Sequence, residues 1–189
     1  MTLYRTVEPA AEPVTLADAK AQLRIAHGSE DALLAGLIRA ARAEVEAQTG
    51  MALIDQAWRL ALDRWPSGGI VRLRRHPVRE ILSVTVYGAE GEALLVDPAG
   101  YQADLAARPA RLHFTGRVAP ERRLNGIEID FSAGFGEAGT DVPDLLKRAI
   151  VMLVAHWYEF RAAYGPGSQP VSIPPAFDRL IAGYRTGRL

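Results

Sequence analysis

The chain has no cysteine, which excludes disulfide staples and thiolate metal sites and fits folding in a reducing cytoplasm. It has no excess of charge of either sign: 22 basic and 22 acidic side chains cancel. The total charge therefore does not describe a protein that coats nucleic acid through counterion release. Long apolar runs are missing too. The longest, Ala149 to Ala155, is far too short to cross a bilayer, and the opening MTLYRTVEPAAEPV has no apolar signal core. A soluble chain with no membrane partner is expected. Lysine is nearly absent, because 20 of the 22 basic residues are arginine. Together with the abundant alanine this points to GC-rich codons, although arginine also suits subunit contacts.

What is present describes a folded α+β protein. With 189 residues and 49% hydrophobic side chains, the chain can form one compact domain over 1–189 that buries roughly 70% of its unfolded surface. Residues 1–14 read as an extended, proline-punctuated leader. In 15–50, Thr15-Leu-Ala-Asp18 opens a short helix with Leu16, Ala19 and Leu23 on one face, ended by Gly28. A second helix runs from Ser29–Asp31 to Thr49, with Leu33, Leu34, Leu37, Ile38, Ala41 and Val45 as its apolar stripe and Gly50 as its stop.

From Leu53 the period falls to two, and 53–132 reads as a small antiparallel β-rich insertion. Its expected strands are Leu53 to Leu62, Ile70 to Arg74, Ile81 to Tyr87, Glu92 to Val96, Tyr101 to Asp104, Arg111 to Phe114 and Ile127 to Phe131. A long central helix is expected over 143–164, with Leu146, Ile150, Leu153, Val154, Trp157 and Phe160 on a face wide enough to need several partners. Its best partner is the helix ending at Thr49, which makes the β layer an insertion in a helical bundle. A Pro/Gly arm, 165–175, leads to a last helix, 176–186.

Three groups of residues bear on chemistry. Gly134-Phe-Gly136-Glu-Ala-Gly139 spells G-x-G-x-x-G after a strand, the glycine pattern that lets backbone N–H groups approach a pyrophosphate. Its context fails, since Thr140, Asp141 and Val142 separate the last glycine from a helix opened by Pro143 and Asp144. A carboxylate at Asp141, capping the following turn, would sit where a phosphate must go. No second parallel strand follows to hold a ribose. A nucleotide-binding enzyme using Gly134–Gly139 is therefore the alternative, with turn glycines as the simpler account.

His156 and Glu159 lie three apart on the long helix, but no second ligand pair accompanies them, so no metal or cofactor is expected. The serines lack a nucleophile frame, and no catalytic residue is expected. The cluster Arg72, Arg74, Arg75 and Arg79 is the densest basic patch. It could face DNA or a neighbouring subunit, and a small DNA-binding module using Arg72–Arg79 is a third reading, set against a solvated strand face.

The order of elements adds a family likeness. Val14-Thr-Leu-Ala-Asp-Ala-Lys20, Glu30-Asp31 and Glu44-Val-Glu-Ala-Gln-Thr-Gly50 resemble the N-terminal half of phage head-tail connector (adaptor) proteins. Phe131-Ser-Ala-Gly-Phe-Gly136, Val142-Pro-Asp-Leu-Leu-Lys-Arg-Ala-Ile150 and Ala155-His-Trp-Tyr-Glu159 are similar to the C-terminal half. The alanine- and arginine-rich character resembles the versions in alphaproteobacterial prophages and gene transfer agents. The resemblance implies a structural virion protein with no enzymatic role, made in the host cytoplasm and located at the particle neck. It implies a homo-oligomeric ring, a dodecamer, beneath the portal protein, extending the DNA channel and presenting a surface to the next tail component, a stopper or tail terminator. DNA would pass without sequence-specific contact. The last helix, with Phe177, Leu180, Ile181, Tyr184, Arg185 and Arg188, is expected to meet the portal or adjacent subunits.

Overall fold

The computed structural model describes residues 1–160 and 173–185. They form an α+β fold of α-helices and antiparallel sheets. The chain divides into two compact units: Met1–Ala10 with Asp55–Phe135, and Ala11–Ile54 with the chain from Gly136 on.

The first unit is all β. Its larger sheet holds β1 (Thr2–Val7), β2 (Gln56–Leu62), β4 (Val78–Tyr87), β5 (Ala93–Leu95) and β8 (Ile127–Ala133), in the order β1-β2-β8-β4-β5. β8 is central because its sequence alternates cleanly: Ile127, Ile129, Phe131 and Ala133 are buried, while Glu128, Asp130 and Ser132 are half-buried on the other face. β4 is longer than the expected Ile81 to Tyr87. Its pairing with β8 slips between Val78 and Glu80 and again between Ile81 and Ser83, and these bulges leave Arg79 and Leu82 exposed. A smaller sheet, β3 (Ile70–Leu73), β7 (Ala110–Phe114) and β6 (Tyr101–Asp104), runs in the order β3-β7-β6.

Two expectations change here. The start of the leader is an edge strand, since β1 pairs with β2 from Thr2 opposite Ala61 to Val7 opposite Ala57. And β2 begins at Gln56 rather than Leu53, because Leu53 and Ile54 are fully buried in the helical unit, where the Glu46 carboxylate accepts the Leu53 N–H at 2.9 Å.

The helical unit contains α1 (Leu16–Leu23), α2 (Asp31–Thr49), α3 (Asp144–Phe160) and α4 (Pro175–Ile181). A reciprocal capping box opens α1: Thr15 Oγ1 accepts from Asp18 N at 3.1 Å, and the Asp18 carboxylate accepts from Thr15 N at 3.1 Å. The Thr15 hydroxyl bond holds the Asp18 carboxyl below its usual range. Arg24, in the left-handed region at φ 57°, ends the helix ahead of Gly28. α2 stops where Gly50 adopts φ 73° and donates to the Glu46 carbonyl at 3.0 Å.

α3 packs on α1, α2 and α4, which accounts for its wide apolar face: Leu146, Ala149, Ile150, Leu153 and Val154 are all buried. Each large aliphatic side chain so buried contributes about 1.5–3 kcal/mol. Trp157 is half-buried and Phe160 39% exposed, so the stripe weakens toward the described end of the helix. The continuation expected to 164 lies outside the described residues. Within the unit, buried Arg42 ties α2 to the leader, bonding Glu12 at 2.8 Å and Glu46 at 3.1 Å. Since Glu46 also receives Leu53, one charged cluster organises the chain before and after α2.

Candidate functional site

The glycine loop ahead of α3 is filled by its own chain. The Asp141 carboxylate turns back over the loop and accepts the Ala138 N–H at 3.1 Å. A β-carbon at Gly136 would lie 2.1 Å from Asp141 Oδ2, and one at Gly139 would lie 2.7 Å from the Pro13 carbonyl oxygen. Both glycines are thus required by close backbone and carboxylate packing. Asp141 differs from expectation in where it points: it caps the short 3-10 turn Gly139–Asp141 rather than the first turn of the long helix. The effect on a phosphate is the same, since a fixed anion occupies the loop.

The basic patch separates into committed and open members. Arg79 bonds Asp55 at 3.1 Å, and the Arg75 guanidinium lies 4.5 Å from the centre of the Trp58 ring. Arg72 and Arg74 are exposed. Sequence reasoning missed Arg111, which lies directly across from Arg72 in the β3–β7 ladder, and Arg108, which precedes the same strand. No local signal joins them to Arg72, because strand register alone brings them to one place. Three further arginines, Arg117, Arg122 and Arg123, lie in the 115–126 connection. There Arg117 donates to the Pro66 carbonyl at 3.0 Å and Arg122 sits over Tyr87.

The outer face of the large sheet carries a network that sequence reading also missed. Arg59 donates twice to Asp130, at 2.7 and 2.8 Å, and pairs with Glu128 at 2.9 Å. The Asp130 bonds raise the pKa of Arg59 further above its already high value. Tyr87 donates to Glu128 at 2.9 Å, and Ser83 to Asp130 at 3.3 Å. Each of these side chains is engaged by another in the network, which sets one guanidinium against two carboxylates.

In the last helix, Phe177 and Ile181 are fully buried, so these two are core residues rather than surface contacts. α4 packs on α3, and four-residue spacing puts both side chains on its inner face. Leu180 and Tyr184 are half-buried, and Arg185 is exposed, bonding Gln48 and Asp178. Arg188 and the arm residues 165–172 lie outside the described residues. The His156 ring lies tilted against Phe160, with centroids 4.4 Å apart. Among the described residues no cluster of three or more His, Asp or Glu side chains could hold a metal ion, and no helix is long and apolar enough to cross a membrane.

Comparison with known proteins bears on this arrangement. Residues 13–71 match the family described as phage gp6-like head-tail connector protein. Among curated proteins no match is found. Solved structures are similar over the whole chain. One is a chain from the neck of an empty gene transfer agent particle computed with C6 symmetry, at 31% identity and TM-score 0.81, covering 100% of this chain and 97% of that one. Another comes from the virion of a native gene transfer agent particle, at 29% identity and TM-score 0.82 with the same coverage. A third, from the neck of a native particle computed with C12 symmetry, shows 31% identity and TM-score 0.78, again covering 100% and 97%. Likeness of this extent and identity, joined to the family match over α1 and α2, makes the chain a member of the phage gp6-like head-tail connector family.

Proposed function

We propose that this protein is a structural head-to-tail connector of a virion or phage-like particle, assembled as a ring in the neck. One observation carries the reading: chains of gene transfer agent particles, two of them from the neck, match it end to end at 29–31% identity. The glycine loop gives no support to the competing nucleotide enzyme, because Asp141 already places a carboxylate there. A connector works through repeated contact rather than chemistry. Each copy meets its neighbour through two different surfaces, and the rotation must close the ring. Every added copy then raises the effective concentration of the remaining sites for a common partner.

In this reading the ring is a dodecamer, its partners are the portal protein above and a stopper or tail terminator below, and DNA crosses its channel. The chain is made in the bacterial cytoplasm and ends in the particle neck. The outward residues of the last helix, Leu180, Tyr184 and Arg185, carry part of the contact with the portal or a neighbouring copy. Phe177 and Ile181 only hold that helix in place.

The test is attachment of purified protein to tailless, DNA-filled particles that contain portal, read by particle-bound mass and by restored tail joining. Stoichiometric attachment and joined tails are expected. Leu180→Glu with Tyr184→Ala should keep the fold but weaken attachment at least tenfold. Particles that join tails equally well without the protein would defeat the connector reading, whereas an unaffected double variant would remove only the role of the last helix.

A further inference from the structure

The outer face of the small sheet is a built basic surface. The register sets Ile70, His113 and Gln102 in one cross-strand row and Arg72, Arg111 and Asp104 in the row beside it. The opposite face, Val71, Leu73, Ala110, Leu112 and Phe114, is buried, so these polar rows are held on a rigid support. Arg72 and Arg111 stand directly opposite one another, a placement of like charges that weakens a sheet. Asp104 compensates only one of them, bonding Arg111 at 2.9 Å. Among the described residues Arg72 makes no ion pair. Arg74 follows β3 and Arg108 precedes β7, so both lie at the sheet end that carries the arginine row, and both are exposed. Arg75 and Arg79, engaged by Trp58 and Asp55, are not part of this surface.

The chemistry favours one kind of occupant. Arginine forks suit phosphate oxygens, and the adjoining row adds the Gln102 amide and the His113 ring beside a shallow cleft of about 330 Å³. Neither outer row contains a Trp, Tyr or Phe. The nearby aromatics are turned inward, with Trp65 4.4 Å and Tyr101 5.3 Å from Phe114 between ring centroids. A face without stacking platforms does not suit single strands, whereas a duplex backbone needs only well-placed positive charge.

We propose that Arg72, Arg74, Arg108 and Arg111 form a contact for the sugar-phosphate backbone of duplex DNA, without base readout. The proposal rests on the connector reading, which brings duplex DNA to the protein. It differs from the basic patch expected over Arg72–Arg79 in membership, and it commits to duplex DNA where that patch could equally face a neighbouring subunit.

The experiment is fluorescence anisotropy of a labelled 30-base-pair duplex with the full-length protein, between about 50 and 300 mM salt, with ring size measured in parallel. Binding should fall steeply with salt. Arg72→Gln with Arg74→Gln, neither of which breaks an ion pair, should weaken binding about tenfold or more near 100 mM salt and lower the log–log salt slope by about 2. Arg72→Lys with Arg74→Lys should retain most of the binding, and Arg79→Gln should leave it unchanged. Absence of salt-dependent binding, or wild-type binding by the Gln pair, overturns the proposal. Loss of portal attachment by the Gln pair with DNA binding intact also overturns it, and would assign the face to an acidic protein partner. The two readings fail separately: a protein that restores tail joining but ignores duplex sinks only the DNA contact, and one that binds duplex through these arginines but never attaches to particles sinks the connector.

Discussion

Arg59 and His76 show how differently two charged or chargeable side chains can be held in one β unit. Arg59 is half-buried and fully partnered by Asp130 and Glu128. Removing it leaves two carboxylates side by side on β8. Arg59→Ala should therefore lower stability by about 1–2 kcal/mol, discounted for its partial exposure. A urea midpoint unchanged from wild type would show that the network contributes nothing. His76 is buried at 3% exposure, and burial first, then the cations of Arg108 and Arg75, push its pKa below the ordinary 6.5. In the unfolded chain it binds a proton near pH 6.5; in the folded chain it resists until lower pH. The stability linked to neutral His76 is thus fully present above about pH 6.5 and falls as pH drops toward the depressed folded value. His76→Phe should flatten the pH dependence of the urea midpoint between pH 7 and 5, and an equally steep variant would place that dependence elsewhere.

Among the elements, those with local punctuation were legible from sequence. Thr15-x-x-Asp18 and Gly50 mark helix ends through contacts within one turn, and the stripe on α3 follows from a 3.6-residue period. Thr15→Ala should cost about 1 kcal/mol by removing the hydroxyl that accepts the Asp18 N–H, while the Asp18 carboxylate keeps its bond to the backbone N–H of position 15. Leu153→Ala, at a fully buried position of α3, should cost about 2–5 kcal/mol; differential scanning calorimetry would check both, and comparable losses for the two would contradict this account of the packing. What escaped sequence reading depends on pairing across long separations. β1 has no turn signal linking it to β2, and its strand character comes from a ladder with residues fifty or more positions away. The division of the arginines likewise required Trp58, Asp55 and Arg111, none of them a near neighbour of the side chain it engages or opposes. Truncating Met1–Val7 should uncover the β2 edge and promote aggregation, measurable by light scattering; a monodisperse truncation would show that β1 is dispensable.

On the scale of the whole molecule, the chain is a helical unit and a β unit threaded through each other in sequence, with backbone passing between them after Ala10, Ile54 and Phe135. That threading has a consequence during synthesis. α2 leaves the ribosome with Leu34, Ile38 and Val45 uncovered, and its partner α3 begins roughly a hundred residues later, a wait of about 5–20 s at bacterial elongation speeds. β1 waits more briefly for β2, whose other edge stays open until β8 joins. Nascent chains therefore spend seconds displaying sticky surface in a crowded cell, and yield should depend on trigger-type chaperones and on translation pace through the β segment more than on the stability of the finished fold.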